Sequence, residues 1–262
     1  MAPYKTGDMI RLLPIAALFL AGCLAEPEQL RAPDNTAVEQ AIRTARPGPL
    51  LALPGLLRDM VPAEPGCPQI DVLEATGGTP TRELWTGGCQ LSDGTLIDGS
   101  LELLERDDEQ WLAGDAFSVT RPTPDGAELE LYLDGALEAI EQQDLLLLDA
   151  AATWCGGDDV PCTDGPVTVD LSYSIYPASG YPDAYDVTVS GVSVSAPAAP
   201  IAVEGSWSID LAACPGEPTD GVFAFRQDER HDLTLDGSLA CDACADWSVQ
   251  GVPVTDFCGV EF

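Results

Sequence analysis

The sequence predicts an all-β chain: an antiparallel meander of about twelve strands with mid-strand glycine bends. It is expected to curl into a barrel-like shape or a two-sheet sandwich, after a short helical and proline-rich tether. Three observations lead there. From Cys67 onward apolar and polar residues alternate with a period of two, which places every second side chain on the same face of a strand. A nine-residue segment with glycine at its centre recurs as TLIDGSLEL (95–103), LYLDGALEA (131–139), VTVSGVSVS (187–195), IAVEGSWSI (201–209) and LTLDGSLAC (233–241). Beyond Cys23 the chain holds eight cysteines, an even number that suits a stapled β framework.

Taken in order, residues 1–22 carry Lys5 and Arg11 in a basic start. An apolar run from Leu12 to Leu20 and the small pair Ala21-Gly22 follow, just before Cys23. That layout is an export signal, and the run is too short to span a bilayer, which takes about 20 apolar residues. Pro14 within it argues against a buried core helix. Leu20-Ala21-Gly22-Cys23 resembles the lipobox of bacterial lipoproteins with a type II signal peptide. The resemblance implies cleavage before Cys23, a diacylglyceryl thioether on its sulfur and an N-acyl chain such as palmitate. Several acyl chains, at about 0.8 kcal/mol per buried methylene, would hold the protein at a membrane. Leu24 after the cysteine, in place of Asp, implies the outer membrane rather than the inner one.

Residues 23–66 read as the acylated cysteine and its tether. Asp34 to Arg46 is a predicted helix: Thr36 and Glu39 form a capping box, Val38, Ala41, Ile42 and Ala45 make an apolar stripe, and Pro47 stops it. PGPLLALPGLLRDMVP (47–62) has two apolar patches broken by prolines and reads as a spacer docking loosely on the body.

Residues 67–262 are the predicted disulfide-stapled β domain. Gly99 and Gly114, Gly191 and Gly205, and Gly237 and Gly251 fall at hairpin intervals. Leu233, Leu235, Gly237, Leu239 and Cys241 share one strand face, so glycine sits on the apolar side, where it permits a sharp bend. In VTVSGVSVS the apolar parity moves from Val187 and Val189 to Val192 and Val194, which predicts a β-bulge at Gly191. ALEAIEQQDLLLLDAAATW (136–154) is rich in helix formers, yet its start copies DGSLEL and predicts two strands around EQQD. So many strands exceed the ~10 of a usual open sheet, so curling is expected. Cys67–Cys89 and Cys155–Cys162 are the economical disulfides, while Cys214, Cys241, Cys244 and Cys258 can pair in any of three ways. The cysteine and glycine strand repeats are similar to secreted lipoproteins of GC-rich bacteria, a likeness that implies no activity.

Charge narrows the partners. The formal net charge is −33, so nucleic acid is not an expected partner, and anionic lipid headgroups would repel the body. Membrane attachment therefore falls to the lipid on Cys23. Lys5 is the only lysine and leaves with the leader, which removes Schiff-base and P-loop chemistry. His231, the one histidine, reads as an exposed turn residue, and no Gly-x-Ser-x-Gly elbow accompanies it. The Cys241-Asp242-Ala243-Cys244 CxxC reads as structural in an oxidising compartment. Asp158, Asp159 and Asp164 crowd the Cys155–Cys162 loop, a calcium candidate whose spacing does not fit an EF-hand; no other cofactor is expected.

These readings favour a lipid-anchored cell-envelope protein with a non-enzymatic structural or binding role, its partner an envelope protein or glycan. One alternative is a carrier holding a lipid in a curled concave sheet, which an interior packed by Trp111, Phe117 and Trp207 would count against. Others are an envelope hydrolase built on His231 or paired carboxylates, and a membrane-spanning barrel ending at Phe262.

Overall fold

Two helices precede fourteen strands among the described residues, and every strand pairing is antiparallel. The helices are α1 (Asn35–Thr44) and α2 (Pro47–Met60). The strands are β1 (Gln69–Thr76), β2 (Thr79–Thr86), β3 (Cys89–Gln90), β4 (Leu96–Glu105), β5 (Glu109–Thr123), β6 (Gly126–Gln142) and β7 (Leu145–Gly156). They continue with β8 (Val167–Pro177), β9 (Ala184–Ser195), β10 (Ile201–Asp210), β11 (Pro218–Arg226), β12 (Arg230–Leu235), β13 (Cys244–Val249) and β14 (Val252–Cys258). This computed structural model describes residues 35–61, 64–124, 126–158, 160–177, 184–195, 199–214, 217–235, 241–242 and 244–258. The leader, Cys23, Asp159, Gly237 and Phe262 lie outside the described residues.

The strands form a pure meander. Each follows its sequence neighbour through one sheet, with β3 pairing only to β4 off that path. Its terminal strands β1 and β14 do not pair with each other, so the sheet is open and not a closed barrel. The segment 136–154 forms the end of β6 and most of β7 around a turn at Gln143, whose φ is +59°.

Period-two patterning sorts the two faces. On β8, Val167, Val169, Leu171 and Tyr173 are buried while Thr168, Asp170 and Ser172 are exposed. One apolar core joins that inner face from Trp85 on β2 to Phe257 on β14, and it also contains Ala41, Ile42, Leu50, Leu53 and Leu57 of the helices. Laid flat, thirteen strands would be roughly 60 Å wide, whereas the 14 residues of α2 cover only about 21 Å. A single core across that width requires the sheet to wrap around the helices and over its own inner face.

The glycines permit the wrapping. At Gly135 (φ +114°) and Gly191 (φ +145°), an added Cβ would stand 2.3 Å from the Ala151 carbonyl oxygen and 2.0 Å from that of Asp170. The backbone of a neighbouring strand, β7 at Gly135 and β8 at Gly191, closes into the space a side chain would need.

Two expectations change. Residues 47–60 are no loosely docked spacer: Leu50, Leu53, Pro54 and Leu57 of α2 are buried. Pro47 opens this helix, where its missing N–H costs nothing, and Pro54 is accommodated inside it. The bulge predicted at Gly191 is also absent, since β9 runs against β8 and β10 without a register shift. Ser193 keeps the inward parity because its hydroxyl finds Thr44 of α1 at 2.8 Å, which leaves Val192 facing out. Register shifts occur elsewhere, among them Asp98/Ser100 and Gly114/Phe117.

Candidate functional site

The cysteines are placed first. Cys67–Cys89, Cys155–Cys162, Cys214–Cys241 and Cys244–Cys258 form four disulfides. The CxxC cysteines thus bond outward, one to the segment after β10 and one across the β13–β14 pair, rather than to each other.

The acidic loop does not assemble a cation site among the described residues. Asp158 is exposed, and Asp164, in a single 3-10 turn at Cys162–Asp164, accepts a hydrogen bond from Arg43 of α1 at 3.1 Å. No group of three potential metal ligands occurs among the described residues, and Asp159, the third member of the expected cluster, lies outside them.

His231 differs from its expected place. The β11–β12 hairpin closes at Arg226 and Arg230, so His231 falls inside β12 on the inner face, opposite Phe225 and Val249. Its ring stacks on Phe225 with centroids 4.5 Å apart and planes 8° from parallel. Its Nδ1 is buried without a hydrogen-bond partner, and burial pulls its pKa below the ordinary value against the opposing charges of Glu229 and Asp232. A base held this way lacks the orienting partner that a catalytic histidine uses. Among the described residues, the carboxylates with shifted acidity, Glu74 and Asp93, are both held below the ordinary range. A general acid needs the opposite shift.

The inner face is occupied. Phe117 and Trp207 are buried there, and α2 is fastened over it by Arg58, which bonds both Glu105 of β4 and Glu83 of β2. Trp111 is half-buried on the outer face.

There it belongs to a site that sequence reasoning missed. The register places Glu74, Arg82, Leu104, Trp111 and Glu138 side by side across β1, β2, β4, β5 and β6. Arg82, Leu104, Arg106, Glu109, Trp111 and Glu138 line an outer-face groove of about 320 Å³. Leu104 is buried and forms its apolar floor. Arg106 also lines a second groove, of about 590 Å³, with the β1–β2 turn and Asp107 and Asp108.

Comparison with family models, curated proteins and solved structures returned no match. The chemistry of the groove must therefore be read from its own residues.

Ion pairs set that chemistry. Arg106 reaches Glu74 at 2.9 Å and Glu109 at 3.0 Å, while Arg82 pairs with Glu102 and with Glu74. Hydrogen bonds from Arg106 and then Arg82 hold the Glu74 carboxyl below its ordinary pKa, and the bond to Glu102 raises that of Arg82. Both guanidiniums are thus oriented and already neutralised. Arg106 and Trp111 are near neighbours along the chain, but the arrival of Arg82 beside them is invisible there, because strand register alone brings it.

Proposed function

We propose that this chain is an exported, lipid-anchored protein of the cell envelope whose role is structural or ligand-binding rather than catalytic. The observation that carries the reading is the pairing of all eight cysteines after Cys23 into four disulfides. Such bonds persist in an oxidising compartment outside the cytoplasm. The leader and the Leu20-Ala21-Gly22-Cys23 motif support the same destination, with the acyl chains on Cys23 anchoring an anionic body and Leu24 favouring the outer membrane.

The filled inner face supports a scaffold over a lipid carrier, since a carrier needs room that α1, α2, Phe117 and Trp207 occupy. The surroundings of His231 weigh against a hydrolase. An open sheet with a polar outer face on β8 weighs against a membrane-spanning barrel, which is apolar outside.

Intact mass spectrometry of the membrane fraction tests the reading. The expected mass is that of residues 23–262 plus acyl groups, with no free thiol. The Cys23→Ala protein should leave the lipid fraction; the same partition for both forms would refute the anchor.

A further inference from the structure

We propose that the outer-face groove around Trp111 is a saccharide-binding site, taking a neutral pyranose-ring oligosaccharide. The inference adds a ligand class to the binding role proposed above, and the groove exists whether or not Cys23 is acylated.

The groove combines what a sugar ring requires. A pyranose has an apolar C–H face and a rim of hydroxyls that both donate and accept. Trp111, partly exposed beside the buried Leu104, supplies one aromatic ring against which that C–H face can stack. Arg82 and Arg106 supply planar donors, while Glu109 and Glu138 supply acceptors around the same surface. Carbohydrate hydroxyls need such fixed donors and acceptors at their edges, and its volume lies in the range of small-ligand sites.

Charge argues for a neutral ligand. Arg82 and Arg106 have carboxylate partners in Glu74, Glu102 and Glu109, so they act as oriented donors rather than as an unspent positive field. An anionic ligand would also meet the protein's net charge of −33. The ion pairs hold the guanidinium groups beside their carboxylates at the groove rim. The neighbouring groove shares Arg106 as a lining residue.

Trp111 also provides the readout. Trp85, Trp154, Trp207 and Trp247 are buried, each 2–3% exposed, so Trp111 is the accessible indole of the five tryptophans. The experiment titrates the purified full-length mature protein in detergent with cellohexaose, chitohexaose, maltohexaose and xylohexaose. It follows acrylamide quenching and N-bromosuccinimide oxidation of tryptophan. At least one neutral hexasaccharide is expected to shield Trp111, and Trp111→Ala should weaken its binding by about tenfold or more, read by calorimetry. Arg106→Gln should weaken it as well, with unchanged circular dichroism in both variants.

Failure of all four sugars to shield Trp111 at millimolar concentration would overturn the proposal, as would unchanged affinity in Trp111→Ala. Tighter binding of polygalacturonate than of every neutral sugar would overturn the neutral-ligand assignment. None of these outcomes bears on cleavage or acylation at Cys23, which the mass measurement decides separately.

Discussion

The Thr44 and Ser193 hydroxyls lie 2.8 Å apart inside the core, joining α1 to β9 across 149 positions of sequence. Both residues are buried, and Thr44 also donates to the Ala41 carbonyl at 3.3 Å. A buried hydroxyl that loses its partner costs about 1–3 kcal/mol, whereas removing both partners costs less than the two losses together. Thr44→Val and Ser193→Ala should each lower the unfolding free energy by about 1 kcal/mol or more. The double variant should lose less than the sum. Urea denaturation of the four proteins forms the cycle, and strict additivity would mean the hydroxyls are not coupled.

Glycines on the strands and on α2 should respond with opposite signs. Gly135→Ala and Gly191→Ala place a Cβ against a neighbouring carbonyl at a positive φ, so both strain and collision apply. Each should cost about 2–4 kcal/mol, or prevent folding. Gly55, inside α2, is exposed and meets nothing within 4 Å. Gly55→Ala should therefore raise stability by about 0.5–1 kcal/mol. Thermal melts of the three variants give the comparison; a tolerated Gly191→Ala would contradict the bent-strand geometry.

Most of the meander was legible because period-two alternation and inward glycine record a strand and its bend locally. Ser193 shows where that reading stops. Its polarity suggested a bulge, yet the residue faces inward because a helix far earlier in the chain supplies a hydroxyl. Leu50, Leu53 and Leu57 failed similarly: Pro47 and Pro54 looked like interruptions, while one opens a helix and the other lies within it. Cys214–Cys241 and Cys244–Cys258 depended on which strand ends meet, which spacing alone does not record. The Trp111 groove is a further case: Leu104, Arg106, Glu109 and Trp111 belong to one hairpin, but Arg82 of β2 and Glu138 of β6 join them only through strand register.

His231 should make stability depend on pH in mildly acidic solution. Burial lowers its folded pKa below the unfolded value of about 6.5. Below that value the unfolded chain binds the proton more readily, so stability falls as the pH drops toward the folded pKa. Above about pH 7 the neutral ring stacks on Phe225 and Trp247 lies 5.9 Å away, and the contribution is complete. His231→Phe retains an aromatic ring and removes the titration. The wild type should lose more stability than this variant between pH 7 and pH 5.5, measured by urea unfolding. Parallel profiles would show that the histidine charges freely in the folded state.

Tyr173 offers the converse test, in which removing a polar atom strengthens the fold. It lies on the inner face of β8 between Leu148 and Val189, is 2% exposed, and its hydroxyl has no hydrogen-bond partner. Burial alone raises the phenol pKa, as expected for a hydroxyl shut away from water and without a base. An unsatisfied buried hydroxyl costs about 1–3 kcal/mol relative to an apolar atom of the same shape. Phenylalanine keeps the ring and its packing while deleting that oxygen. Tyr173→Phe should accordingly raise the unfolding free energy by about 1 kcal/mol and leave circular dichroism unchanged. A loss of stability would mean that the hydroxyl is solvated by a water held in the core, making the inner face less tightly filled than its side chains indicate.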